Sequence, residues 1–290
     1  MPRRIPKLVL FGDSRKPSVP QAIVEFRRFV RDKARILSCG DVAECRTEIL
    51  RQCDYAVVFG GDGSLISAAR VLSPMRVPVI GVNLGKLGYL AEFSVPELKR
   101  LFDRIVAGKT SIERRMMLAC QVSSGSGRRP RAARFRGTAV NDVFVTAGPP
   151  FRVIELEIAV DGHSVARCVS DGLIVSTPTG STAYNLSAGG PILPGSMKAL
   201  VVTPICPHSL SFRPIVIDAA RVVEIKGVRL NEGTTLATDG QVRLGLAPDS
   251  VVRITKAGRD FLVVNNPVRN VWDTLATKLG WAEMPKYAKP

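Results

Sequence analysis

An α/β domain with a mostly parallel sheet, followed by an all-β and mainly antiparallel domain, is the fold class this sequence predicts. Over the first hundred residues, strand-like apolar runs alternate with helical patterns, which implies right-handed crossovers onto a parallel sheet. From about residue 110 the runs become short and β-rich, with turn signals between them. A last amphipathic pattern near the C-terminus predicts a helix that packs back on an earlier element. The expected division is 1–108 for the α/β domain, with 268–290 packing back on it, and 109–267 for the β-rich domain.

"KLVLFG" (7–12) reads as the first strand; its apolar core, Leu8 to Phe11, is too short for a signal peptide. "QAIVEFRRFVRDK" (21–33) is an amphipathic helix, with Ile23, Phe26 and Val30 on one face. "YAVVF" (55–59) is a strand, "SLISAARVL" (64–72) a helix and "VPVIGVN" (77–83) a third strand. "SVPELKRLFDRIVAGK" (94–109) carries its own punctuation. Ser94 and Glu97 have capping-box spacing, Pro96 sits in the first turn, and Gly108 ends the helix.

The second domain is read from "MMLACQV", "GTAVNDVFV", "FRVIELEIAV", "LIVSTP", "KALVVTP", "RVVEIKGV", "VRLGLA" and "SVVRITKAG". Asp161-Gly162, Lys226-Gly227, Asp239-Gly240 and Ala257-Gly258 are the turn signals. "NVWDTLATKLGW" (270–281) is the closing helix, with Asn270 as cap and Trp272, Leu275 and Leu279 on one face.

Charge bounds the partners. Lys and Arg number 41 against 25 Asp and Glu, a net of +16, so the field attracts polyanions or phosphate-rich small molecules. The basic residues are dispersed, apart from "SSGSGRRPRAARFRG" (123–137), and no aromatic-basic ladder exists for stacking bases. That cluster reads as a solvated hairpin tip, and neither a nucleic-acid nor a membrane partner is expected. No apolar run reaches the roughly 18 residues of a membrane span. Six cysteines without C-x-x-C pairing read as reduced thiols, which points to the cytoplasm.

The stretch "YAVVFGGDGSLISAARVL" (55–72) runs from strand through glycines into a helix N-terminus, a geometry that favours anions. It is neither a Walker A loop nor a dinucleotide fingerprint, because the required Lys and third Gly are missing. Gly60, Gly61, Gly63 and Ser64 form a phosphate loop in this reading, yet Asp62 sits among them. Asp62 either accepts a proton from an attacking hydroxyl or lies near Mg²⁺ on a phosphate chain. Both imply phosphoryl transfer. GGDG-type turns occur in sugar kinases, in diacylglycerol- and sphingosine-type lipid kinases, and in NAD kinases, so this motif alone leaves the acceptor open.

A second constellation narrows the choice. "SDGLIVSTPTGSTAYNLSAGGPILP" (170–194) concentrates hydroxyls and free amides around one turn, a polar surface suited to ribose, amide and phosphate groups. Here the sequence resembles the NAD kinase family, through "GGDGSLI", "GVNLGKLGYLAEF", "AVNDVFV", "DGLIVSTPTGSTAYNLSAGGPI", "PHSLSFRPIVI" and "DGQ", in family order over roughly residues 55 to 245. The resemblance implies NAD bound between an α/β domain and a β-rich NAD-binding domain. It also implies a homo-oligomer, dimer or tetramer, whose sites borrow residues from a neighbouring subunit. Phosphoryl transfer would run from ATP or inorganic polyphosphate, with Mg²⁺ or another divalent cation, to the 2′-hydroxyl of the adenosine ribose.

Asp62 matches the family's catalytic acid, with Gly61 and Gly63 beside the phosphates. Asn141 and Asp142 fall on the pair that holds the adenosine half. Arg152, Asp171, Thr179, Thr182, Ala183, Tyr184, Asn185, Leu186, Ser187 and Gln241 match other dinucleotide-contacting positions. Two residues depart from the pattern. Asp142 stands where the family has Glu, one methylene shorter. Val169 stands where many members carry a basic residue, a contact Arg167 could replace. A lipid kinase sharing the GGDG turn is the alternative; it requires an apolar acceptor pocket, whereas 177–187 predicts a polar one. An idle fold that merely binds polyanions is disfavoured by the intact Asp62.

Overall fold

The structure, a computed structural model, describes residues 5–85, 88–124 and 133–279. It divides into two compact units, Met1–Glu113 with Leu262–Pro290, and Arg114–Phe261.

The chain opens with β1 (Lys7–Gly12), α1 (Ser18–Phe29), β2 (Arg35–Gly40), α2 (Thr47–Leu50), β3 (Tyr55–Phe59), α3 (Asp62–Leu72), β4 (Val79–Val82), α4 (Val95–Val106) and β5 (Ile112–Arg115). α1 stops at Phe29, four residues short of the helix expected from periodicity. Val30 leaves helical geometry there while its side chain remains buried, and Ala34 then leads into β2. α4 has both halves of its capping box, and Gly108 terminates it at φ +68°.

The first unit is built on a six-stranded sheet in the order β2-β1-β3-β4-β18-β5, where β18 is Phe261–Val264. β1 pairs parallel with β2 and β3, and β4 pairs parallel with β3 and β18. A strand from beyond the second unit therefore returns to the first sheet. Leu8, Leu10, Val57, Phe59, Ile80 and Val82 form one core with the apolar faces of α1 and α4. Phe26 of α1 is the hinge of that core, with ring centroids 5.8 Å from both Phe59 and Phe102. The carboxyl ends of β1, β3 and β4 remain open to loops, the edge at which α/β sheets place ligands.

The second unit contains β6 (Leu118–Ser124), β7 (Phe135–Ala139), β8 (Asp142–Thr146), β9 (Ile154–Val160), β10 (His163–Ser170), β11 (Gly172–Ser176) and the short α5 (Tyr184–Ser187). It continues with β12 (Ala199–Ile205), β13 (Ile215–Asp218), β14 (Val223–Arg229), β15 (Thr235–Thr238), β16 (Val242–Gly245) and β17 (Ser250–Lys256). Two six-stranded sheets result, β10-β9-β14-β17-β6-β7 and β13-β12-β11-β8-β15-β16, paired antiparallel throughout. Their inner residues, among them Leu118, Val122, Val143, Val145, Leu156 and Val175, share one core.

The run "GTAVNDVFV" is not one strand. It breaks at Val140 and Asn141, so that β7 belongs to one sheet and β8 to the other. Asp161-Gly162 and Asp239-Gly240 are tight turns with both residues at positive φ, as two-residue hairpins require. Lys226-Gly227 is not a turn. It lies inside β14, where the register against β9 shifts after Gly227 and the Leu230 side chain fills the space a Cβ would take.

The chain ends in α6 (Val271–Leu279), with Asn270 Oδ1 accepting from the Trp272 N–H at 3.0 Å as its cap. Leu275 is buried, whereas Trp272, in the first turn, is 58% exposed. Residues 280 and 281 and most of the arginine cluster, 125–132, lie outside the described residues. Among the described residues no helix is long and apolar enough to cross a membrane.

Candidate functional site

In the first unit, buried β3 ends at Gly60, whose φ of +151° is a conformation L side chains rarely adopt. A Cβ there would also strike the Ser64 hydroxyl. The Gly60 N–H donates to Val82 O at 2.8 Å, which ties the turn to β4. Gly61 is the N-cap of α3, and its carbonyl accepts from the Ser64 N–H at 3.0 Å. Asp62 is thus the first residue of α3, two positions earlier than the helix pattern places its start.

The Asp62 carboxylate is anchored rather than loose. Its Oδ2 accepts from the Tyr89 N–H at 2.8 Å, and its Oδ1 accepts from Leu90 and Ala91 at 3.0 and 3.1 Å. Three backbone dipoles thereby offset the acid in a turn otherwise suited to anions. Gly88 makes the approach possible, since a Cβ there would overlap Asp62 Oδ1. Beside this contact, the Tyr89 hydroxyl is buried without a hydrogen-bond partner among the described residues, and burial, followed by the Asp62 charge, pushes its pKa up.

A cleft of about 260 Å³ opens at the carboxyl ends of β1 and β3. Asp13, Arg15, Lys16, Asp41, Gly63 and Ser64 line it. Arg15 is held there by Asp13, through Nε at 2.8 Å and Nη2 at 3.2 Å. The sequence singled out Gly63 and Ser64 but missed Arg15 and Lys16, which sit on an ordinary-looking basic loop.

In the second unit, three segments form a polar shelf. Asp239 gathers the break between β7 and β8. Its Oδ2 accepts from Val140 at 3.1 Å, and its Oδ1 from Asn141 and Asp142 at 2.7 and 3.4 Å. Asn141 O then accepts from the Thr177 N–H at 2.8 Å and from Ser176 Oγ at 3.2 Å. Gly180 packs so tightly on Asn141 that a Cβ would overlap its carbonyl. Among the described residues the Asn141 side-chain amide has no hydrogen bond.

Asp142 is 3% exposed, and its pKa is pushed to about 7, by burial first and by the neighbouring Asp239 second. Phe144, on the same face of β8, meets Tyr184 edge-to-face at 5.0 Å. Burial first, then the Cys206, Asp142 and Asp171 charges, push the Tyr184 phenol up.

The remaining positions differ in what they present. Asn185 is fully buried. Its Nδ2 donates to Ser181 O and Pro191 O, both at 3.1 Å, and its Oδ1 accepts from Thr203 Oγ1 at 2.7 Å. That side chain braces the turn. Thr182 Oγ1 donates to Thr179 O at 3.3 Å, and Thr179 Oγ1 is buried without a partner among the described residues. Ala183 and Leu186 are half-buried, whereas Ser187, Asp171 and Gln241 are exposed; the Gln241 N–H donates to Thr238 O just after the Asp239 turn. Arg152 is exposed on the loop before β9 and makes no ion pair to the shelf among the described residues. On β10, Arg167 lies two positions from Val169, on its face, with Nη1 4.0 Å from Glu155.

Residues 26–110 match the family model of the ATP-NAD kinase N-terminal domain, and 140–266 that of the ATP-NAD kinase C-terminal domain. The chain belongs to the NAD kinase family. The NAD kinase of Geotalea daltonii is 41% identical over 251 residues, 86% of either chain. The NAD kinase of Rhodopirellula baltica is 34% identical over 279 residues, 96% of this chain and 88% of its own. Among solved structures, yeast NADH kinase complexed with NADH superposes with a TM-score of 0.84 at 25% identity, covering 98% of this chain and 90% of its own. An NAD kinase from Archaeoglobus fulgidus in complex with ATP gives 0.74 at 23% identity, over 94% of this chain and 98% of its own, a likeness of fold. Membership in the NAD kinase family places the chain among phosphotransferases, and the lipid-kinase alternative finds no support.

Proposed function

We propose that this NAD kinase transfers the terminal phosphoryl group of ATP to the 2′-hydroxyl of the adenosine ribose of NAD, with Asp62 as general base. The observation that carries this reading is the Asp62 carboxylate, fixed by the amides of residues 89–91 at the N-terminus of α3. Oδ2 accepts one of those bonds and keeps a lone pair for the incoming hydroxyl. Asp62 takes the hydroxyl proton as the oxygen forms its bond to phosphorus; the bond to the leaving diphosphate breaks and ADP departs with its electron pair. Positioning supplies most of the rate in such transfers, which suits an acid locked by three backbone bonds.

The donor phosphates fit the cleft beside Asp62, with Arg15 and Lys16 for charge and the start of α3 for its dipole. Such contacts read phosphate, so inorganic polyphosphate is tested as donor beside ATP. A resident metal centre does not fit: the Asp62 oxygens face backbone amides, and the described residues hold no cluster of three metal-ligating side chains. Mg²⁺ belongs to the donor as the Mg-nucleotide substrate.

Asn141, with its side-chain amide unspent, and the exposed hydroxyls of the shelf are assigned to NAD. Assembly into a dimer or tetramer is carried with this proposal and is read by light scattering of the purified protein.

Asp62→Asn should lower turnover roughly 10²-fold or more, the scale of a lost general base, with NAD affinity within a few-fold. NADP formation and calorimetric titration of NAD measure the two. Surviving turnover would remove Asp62 from the chemistry. Asn141→Ala should chiefly weaken NAD binding, and an unchanged affinity would refute its assignment.

A further inference from the structure

The segment after β18 makes contacts that the proposed reaction leaves unused. Asn266 is 2% exposed and reaches a single residue of the first sheet's loops. Its backbone N–H donates to Glu92 Oε2 at 2.8 Å, and its Nδ2 donates to Glu92 O at 3.0 Å. Its Oδ1 accepts from the Val268 N–H at 3.2 Å, which holds the side chain in place. Three residues on, Arg269 Nη2 donates to both oxygens of Glu97 at 3.0 Å. Glu97 Oε2 also accepts from the Ser94 N–H and Oγ, both at 2.8 Å, closing the cap of α4. On α6, Lys278 Nζ lies 5.0 Å from the Tyr89 ring centroid.

Glu92, Ser94 and Tyr89 all belong to the stretch 88–94. The amides of residues 89, 90 and 91 in that stretch hold the Asp62 carboxylate. Asn266 therefore grips the carbonyl of the residue that follows the last Asp62 donor, from 174 residues away in sequence. On the other side the stretch is tied to β4, because Phe93 N–H donates to Gly81 O at 3.0 Å and Asn83 N–H donates to Phe93 O at 2.7 Å. Among the described residues only backbone amides hold this carboxylate, so its aim is set by whatever fixes that backbone, and small displacements are costly in phosphoryl transfer.

We infer that Asn266 and Arg269 are positioning residues for the reaction: they clamp the 88–94 stretch so that its three amides aim the Asp62 carboxylate. The inference rests on Asp62 being the base. Asn266 acts through the Glu92 carbonyl, on the residue next to the Ala91 donor. Arg269 acts through Glu97 and Ser94, at the far end of the same stretch.

The test is a double-mutant cycle on the full chain. Asn266→Ala should lower kcat roughly tenfold, with KM for NAD and for ATP within about twofold. Arg269→Gln should lower kcat by a smaller factor, and Arg269→Lys, which keeps the charge near Glu97, should restore most of it. In the Asp62→Asn background, Asn266→Ala should leave the residual turnover unchanged, because the group it positions is already gone. Equal losses in both backgrounds, or an unchanged kcat in the single variants, overturn the inference. If Asp62→Asn itself keeps wild-type turnover, the reading of Asp62 fails first, a distinct result. Should Asn266→Ala lose its cooperative thermal transition, Arg269→Gln, at a partly exposed side chain, carries the same cycle.

Discussion

Asp142 illustrates how far one side chain can depart from its ordinary chemistry. Its carboxyl has lost water almost entirely and faces a second acid, Asp239, whose own oxygens are committed to three backbone amides. The folded protein therefore keeps the Asp142 proton up to a pH of about 7, whereas an unfolded chain releases it near the ordinary aspartate value of 3.8. Between those values unfolding releases a proton, so raising the pH erodes stability, and the full penalty is present above about pH 7. Asp142→Asn cannot ionise. Its stability should fall less between pH 5 and pH 8 than that of the parent, by on the order of 2 kcal/mol. Urea unfolding at the two pH values measures the difference, and parallel losses in both proteins would show that Asp142 does not hold its proton. Gly88 marks a second constraint of this kind. Gly88→Ala places a methyl against Asp62 Oδ1, so turnover should fall while the midpoint of thermal unfolding moves only a few degrees.

At the scale of elements, what the sequence displayed depended on whether the signal was local. α4 was legible in full, because Ser94, Glu97 and Gly108 lie within one helix and its ends. The glycine turn before α3 and the hydroxyl-rich run before α5 were legible for the same reason: each concentrates unusual residues in a few positions. β18 was not. Phe261–Val264 is a four-residue apolar run that reads like one more antiparallel strand, and its place between β4 and β5, with Val263 parallel to Val79, reveals its return. Lys226-Gly227 misled, because a glycine at a register shift and a glycine in a hairpin look alike in sequence. The anchors of the site were hidden for a related reason. Asp239 looks like a turn aspartate, yet its carboxylate acts on amides nearly a hundred residues earlier. Breaking the strand between β7 and β8 is its structural task, and it sets the exposure of Asn141. Asp239→Ala frees three backbone N–H groups and should cost about 2 kcal/mol in urea unfolding. NAD affinity should weaken with it. A variant that loses stability but binds NAD as before would separate the turn from the shelf.

The molecule as a whole carries a charge of +16, and its use can be decided by what salt does and does not change. Most of the ion pairs are at the surface: Arg15–Asp13, Arg114–Asp260, Arg167–Glu155 and Arg221–Asp161 all keep arginine side chains at least 60% exposed. Exposed pairs of this type contribute roughly 0–1 kcal/mol each, so screening them should barely affect folding. Attraction of a polyphosphate nucleotide is different, because it sums the excess of 41 basic over 25 acidic residues across the approach to the protein. At 0.1 M salt the screening length is about 10 Å, which leaves contacts inside a cleft largely intact and removes the longer-range field. Raising salt from about 50 to 300 mM should therefore increase KM for NAD and for ATP several-fold. Turnover at saturation should stay level, since Asp62 and its three amides lie within contact distance. Thermal midpoints should also stay level. A flat KM would mean that the positive charge has no part in gathering the substrates. A KM that rises together with a falling thermal midpoint would assign the effect to the fold instead.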